Sequence, residues 1–142
     1  MKYTIETMPK LEENESLEEI ARENFNRWNE ALKTKNSEAV AALYETELLF
    51  LPTLLDDLIE EPAGTAEYFE HFLKNSPSGE IIKSGVKRIS DNAYAHAGLY
   101  DFTIIKDGKK EVIHAKFSMD WMRSGDNEEW KIAVQGLPGI LL

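Results

Sequence analysis

The sequence predicts an α+β fold, helices laid on one face of an antiparallel sheet, from three observations. Residues Ser16 to Lys33 place apolar side chains at helical spacing in one broad stripe. From Gly79 onward the apolar period changes to two, over four segments long enough to be strands. Between those segments stand Asp91-Asn92 and Asp107-Gly108, residue types suited to tight hairpin turns.

Taken in order, Met1 to Glu15 shows little periodicity and ends in the polar run EENE, which predicts an N-terminal arm ahead of one domain over 16–142. Ser16 followed by Glu19 matches a capping box, so the first helix is expected to start there. Leu17, Ile20, Ala21, Asn24, Phe25, Trp28, Ala31 and Leu32 form its stripe, with Asn24 the one polar member. Lys33 and Lys35 suit a helix C-terminus and Asn36 a left-handed exit. Ser37 is expected to cap a short second helix with Ala39, Val40, Leu43 and Tyr44 turned inward. Leu48 to Leu51 is a brief strand that Pro52 ends or confines to an edge.

The segment from Thr53 to Gly64 holds Asp56, Asp57, Glu60 and Glu61 with no basic residue between them. Clustered carboxylates are a ligand type for a hard cation, but their spacing does not fit an EF-hand loop. A solvated acidic turn of helix is the preferred alternative, with Leu54, Leu55, Leu58 and Ile59 as an apolar face able to lid a pocket. Thr65 is expected to cap a third helix buried through Ala66, Phe69, Phe72 and Leu73. The four strands then read Ile82 to Ser90, Ala93 to Lys106, Glu111 to Met122 and Trp130 to Gln135.

Both parities of the third of these carry content. Ile113, Ala115, Phe117, Met119 and Trp121 form one face; Val112, His114, Lys116, Ser118 and Asp120 form the other. If the aromatic parity faces outward, self-association follows, because such a face is a liability on a monomer. If it faces the helix, the polar parity is simply wet. The parities alone leave both open.

Charge narrows the partners. The 142 residues hold 16 Lys plus Arg against 26 Asp plus Glu, a formal net charge of −10. Such a field repels phosphate and argues against nucleic acid and anionic membrane. With no cysteine, disulfides and thiolate metal sites are excluded. No apolar run is long enough to span a bilayer and nothing resembles a signal peptide, so a cytoplasmic location is expected.

The strings FNRWNEALKTKNSEAVAALY, LLFLPT, EYFEHFL, GLYDFT and AKFSM resemble the association (hub) domain of calcium/calmodulin-dependent protein kinase II. They are closer still to stand-alone bacterial relatives of that domain, within the NTF2-like (SnoaL-like) superfamily. The resemblance covers roughly Phe25 to Ile132. It implies a cone: a curved antiparallel sheet wrapped around the long N-terminal helix with two shorter helices. The concave face would enclose a pocket and the convex face would pair with another subunit, as a dimer or a larger ring. Fold follows from such a likeness more directly than function does.

The pocket this resemblance implies is lined by Trp28, Tyr44, Phe69, Phe72, Tyr100, Phe102, His114, Lys116 and Gln135. The family carries an arginine where Lys116 stands; lysine keeps the charge but loses the bidentate fork for a carboxylate. Bacterial relatives end in a strand with His-His-Ser-Ser and then Met-Pro. Here WKIAVQ runs into GLPGILL, so Gln135 and Gly136 replace the histidines and the polar floor turns apolar. Leu137 and Ile140 to Leu142 extend that change.

For catalysis, Asp101 and Asp120 are the candidate general bases, with His96 or His114 as substitutes and Tyr44, Tyr94 or Tyr100 as oxyanion donors. They form no recognisable constellation, and two histidines lack the third ligand a zinc site needs. The expectation is therefore a self-associating hub-like domain whose cavity, remodelled naturally or by design, takes a small, largely apolar molecule. No cofactor or metal is expected. Two alternatives stay open: an isomerase- or lyase-like enzyme with a carboxylate base in the cone, and an assembly module with a vestigial pocket.

Overall fold

The computed structural model describes the backbone over residues 2–52 and 57–136, with side chains from Leu17 onward within those ranges. The expectations placed on Leu54, Leu55, Asp56 and the apolar C-terminus lie outside the described residues.

Helix α1 spans Lys2–Lys33. It runs straight through the Ser16–Glu19 pair, so the capping box does not begin it, and residues 2–15 are helical backbone. Leucine and glutamate dominate Leu11 to Glu19, and their propensity carries the helix upstream past a local stop signal. The stripe behaves as its spacing requires: Leu17, Ala21, Asn24, Phe25, Trp28 and Leu32 are all buried. Asn24 is tolerated because its amide donates to the Tyr94 hydroxyl at 2.8 Å and its carbonyl accepts from Arg27 at 2.7 Å.

Three further termini differ from expectation. Lys35, at φ 59°, makes the left-handed exit, not Asn36. Asn36 caps α2 (Ser37–Ala41), its Oδ1 accepting from the amides of Glu38 at 3.0 Å and Ala39 at 3.3 Å. Helix α3 spans Pro62–Phe72, with proline at its start and Thr65 one turn inside. The Thr65 hydroxyl donates to the Glu61 carbonyl at 3.1 Å instead of capping. From Asp57 to Glu61 the acidic stretch before it is not a helical turn: Ile59 bridges to Phe50 while Asp57, Glu60 and Glu61 stay exposed.

Five strands, β1 (Tyr44–Leu51), β2 (Ser78–Ser90), β3 (Ala93–Lys106), β4 (Lys109–Met122) and β5 (Lys131–Gly136), form one sheet in the order β1-β5-β4-β3-β2. Pairing is antiparallel except between β1 and β5, which run parallel. The β3–β4 turn is the expected one, with Asp107 at φ 53° and Gly108 at φ 75°. On β2 the register shifts between Ile81 and Lys83, and the strand bends over Gly98 of β3. A Cβ on Gly98 would stand 2.2 Å from the Lys83 carbonyl oxygen, so only glycine lets the strands approach there.

The structure decides between the parities. Tyr94, His96, Tyr100 and Phe102 of β3 and Phe117, Met119 and Trp121 of β4 are buried against α1. The aromatic face is the core, so an aromatic outer face is not the reason for self-association. The outer face is nevertheless uneven. Along β1 and β5 it exposes Leu49, Leu51 and Val134, while toward β2 it carries Glu80, Asp101, His114 and Lys116.

Candidate functional site

A cavity of about 280 Å³ lies between α1, α3 and the concave sheet face. That is just below the usual range for ligand pockets, roughly 300–1,000 Å³. Its walls are mostly rings, because four of the contributing elements turn aromatics inward: Trp28 from α1, Phe50 from β1, Tyr68, Phe69 and Phe72 from α3, Tyr100 and Phe102 from β3. Ile104, Ile113 and Ala115 complete the apolar lining. Phe72 stacks on Phe102 and Phe50 on Phe69, both pairs at an interplanar angle of 10°. Asn75, Lys106 and Glu111 also line it; Lys106 and Glu111 are exposed and mark the rim.

At the inner end sits Gln135, 1% exposed. The Trp28 indole donates to the Tyr44 hydroxyl at 3.1 Å, and that hydroxyl donates in turn to Gln135 Oε1. Gln135 Nε2 is buried with no hydrogen-bond partner among the described residues. An unpaired buried amide is costly, of order 1–3 kcal/mol. Burial pushes the Tyr44 phenol well above its ordinary value, with Tyr68 and Tyr100 nearby adding to the rise, and pushes that of Tyr68 up to about 12, so these hydroxyls stay protonated at neutral pH.

Of the nine pocket residues expected from sequence, Trp28, Phe69, Phe72, Tyr100, Phe102 and Gln135 line this cavity. Tyr44 stands behind Gln135 as its support. His114 and Lys116 do not belong: they project from the opposite side of β4, with the His114 side chain 68% exposed. Strand alternation separates them from Ile113 and Ala115, which do line it. The candidate bases fare likewise. Asp101 accompanies His114 on the outer face, Oδ1 lying 2.5 Å from Nδ1. Asp120, whose carboxyl burial raises, pairs there with Ala95 and Val134. The carboxylate bases expected in the cone are therefore outside it. Phe50, Ile104, Ile113 and Ala115 are lining residues that the sequence reading did not select, whereas Tyr68 belongs to the aromatics expected in the core or the pocket lining.

Of the four acid–base candidates His96 alone points inward, and it lines a separate cleft with Arg22, Phe25 and Ser84 between α1 and β2. Its ring packs edge-on to Phe25 and Phe117, and Nε2 lies 3.0 Å from Ser84 Oγ. Burial lowers its pKa to about 4. The unfolded chain titrates near 6.5, so below that pH it takes up a proton that the native state refuses. This contribution to stability is intact above pH 6.5 and is lost as pH falls toward 4. In urea titrations at pH 7.5 and 4.5, wild type should lose roughly 2 kcal/mol more than His96→Asn, at about 1.4 kcal/mol per pKa unit. Equal losses would mean that the ring titrates normally.

Among the described residues no helix is long and apolar enough to cross a membrane, and no group of three metal-ligating side chains occurs. A family model described as the calcium/calmodulin dependent protein kinase II association domain matches residues 17–135. A crystal structure from Xanthomonas campestris, of a protein named for that association domain, is 32% identical, covers 82% of each chain and superposes with a TM-score of 0.77. The association domain of C. elegans CaMKII is 15% identical over 87% of this chain and 96% of that one, with a TM-score of 0.69. An NTF2-like protein from Streptomyces avermitilis, named as a dehydratase, is 9% identical over 90% and 99%, with a TM-score of 0.75. The likeness to the last two is one of fold. No curated protein sequence matches the chain.

Proposed function

The chain belongs to the calcium/calmodulin dependent protein kinase II association domain family, and on that premise we propose that it is a self-associating module whose cone binds a small, largely apolar molecule. The observation that carries the binding half is Gln135: a buried amide donor without a partner among the described residues, at the inner end of an aromatic cavity. A cavity meant only as packing space would not be expected to keep an unpaired polar group there. Self-association rests on the family and on Leu49, Leu51 and Val134, exposed together along one edge of the convex face.

Two measurements test this. Light scattering should give a multiple of the protomer mass; a protomer mass would remove the assembly half. Tetralin, a compact apolar bicycle, should raise the unfolding temperature, since a ligand at about 100 times Kd adds about 2.7 kcal/mol to stability. Ala115→Phe, which fills the hollow, should abolish that shift. Lys116→Ala should leave it unchanged, because Lys116 lies on the other face of the sheet. A shift that survives Ala115→Phe would place the ligand elsewhere.

A further inference from the structure

We infer that the aromatic cavity selects an uncharged hydrogen-bond acceptor, such as a ketone, lactone or amide carbonyl on a compact ring system, and holds that acceptor on the Gln135 amide. This rests on the reading that the cavity binds a small molecule, and adds which chemical class it takes.

The direction of two linked hydrogen bonds fixes what the inner end offers. An indole N–H can only donate, so Trp28 gives its proton to the Tyr44 oxygen. The Tyr44 hydroxyl then has its own proton to place, and Gln135 Oε1 accepts it. Gln135 is left with an NH₂ group and, among the described residues, no acceptor for it. Turning the amide over would make matters worse. Nε2 would then donate to Tyr44, stranding both the phenolic proton and Oε1 in an apolar interior. The inner end is thus a donor, held in place by Trp28 and Tyr44 from behind.

Charge decides which acceptor suits it. Trp28, Phe50, Phe69 and Gln135 are each at most 2% exposed, and none is ionic. Lys106 and Glu111 stand at the exposed rim near the Asp107-Gly108 turn. A carboxylate pushed to the inner end would lose its water and gain one neutral donor, which does not offset its desolvation. A ligand ammonium or other pure donor would meet another donor. A neutral carbonyl loses little on leaving water and satisfies the amide. The stacked rings on either side suit a flat or compact cyclic body.

Calorimetric titration of the full chain with 2-tetralone, tetralin, 2-aminotetralin and tetralin-2-carboxylate tests the assignment. The ketone should bind roughly tenfold tighter than tetralin, the worth of one buried hydrogen bond, and the two ions more weakly than tetralin. Gln135→Leu should erase the ketone's advantage while tetralin binds as well or better. Gln135→Glu keeps an acceptor for Tyr44 and puts an acceptor in place of the donor, so the ketone should fall below tetralin and the amine should gain. Tetralin binding with no ketone advantage, or tightest binding by the carboxylate, overturns the selectivity and leaves the cavity reading standing. Binding by none of the four overturns both.

Discussion

Trp28→Ala should lower stability by about 3–5 kcal/mol, the range for truncating a large buried aromatic. Typical domains are stable by only about 5–15 kcal/mol, so the variant should be close to unfolding at physiological temperature. The residue is 2% exposed and joins two parts of the core. Its ring lies 5.8 Å from that of Phe25 on the same helix and 6.4 Å from Phe102 on the sheet. Its N–H starts the Tyr44–Gln135 relay. Trp28→Phe retains most of the ring and loses the donor, so it should cost less, about 1–2 kcal/mol. Urea unfolding at fixed protomer concentration measures both, with the slope checked for a change in denatured-state compactness. A loss under about 1.5 kcal/mol for Trp28→Ala would mean that the surrounding rings collapse into the space. The long helix would then be less central than its burial indicates.

That helix was legible because its message is local. One residue in three or four must be apolar along a face that meets a sheet, and Leu17 to Leu32 say so without help from the rest of the chain. Its start was not legible, because Ser16–Glu19 is a capping box only if the residues before it leave the helix, and they do not. Thr65 misled in the same way: Pro62 fixes the start of α3 one turn earlier.

The misplacement of His114 and Lys116 has a different origin. They were put in the pocket by family likeness, yet strand arithmetic already placed them outside. A two-residue turn at Asp107-Gly108 pairs Lys106 with Lys109, and counting back pairs Tyr100 with Ala115 and Asp101 with His114. Tyr100 and Lys116 therefore cannot share a face. Phe50 is another matter. It reaches the cavity through the parallel pairing of β1 with β5, a contact between distant segments that no local pattern announces. Gln135 was singled out as a substitution in a familiar strand. Its unpaired amide became visible only with Tyr44 beside it, a neighbour 91 residues away in sequence.

The convex face yields the second large effect. If the proposed assembly uses this face, the double substitution Leu49→Asp and Val134→Asp should raise the dissociation constant at least about a hundredfold, and light scattering should then report single protomers at micromolar concentration. The register explains the choice of positions. Leu49 pairs with Val134 and Leu51 with Gly136, while Val134 pairs with Asp120 and Gly136 with Ser118 across β4. Small residues continue the surface onto β3 through Ala95 and Ala97. The result is a low, largely apolar platform that includes the Asp120 carboxylate, with exposed Glu47 beyond Leu49 on β1. Two further aspartates per protomer would set like charges beside Asp120 and would have to be buried unpaired on association. The fold should survive, because Leu49 and Val134 are 45% and 39% exposed and contribute little to the core. Lys116→Ala with His114→Ala, at the polar end of the same face, should leave the mass unchanged, separating a specific apolar contact from general charge effects. An unchanged mass for the aspartate variant, with its unfolding midpoint intact, would mean that assembly, if it occurs, uses a different surface.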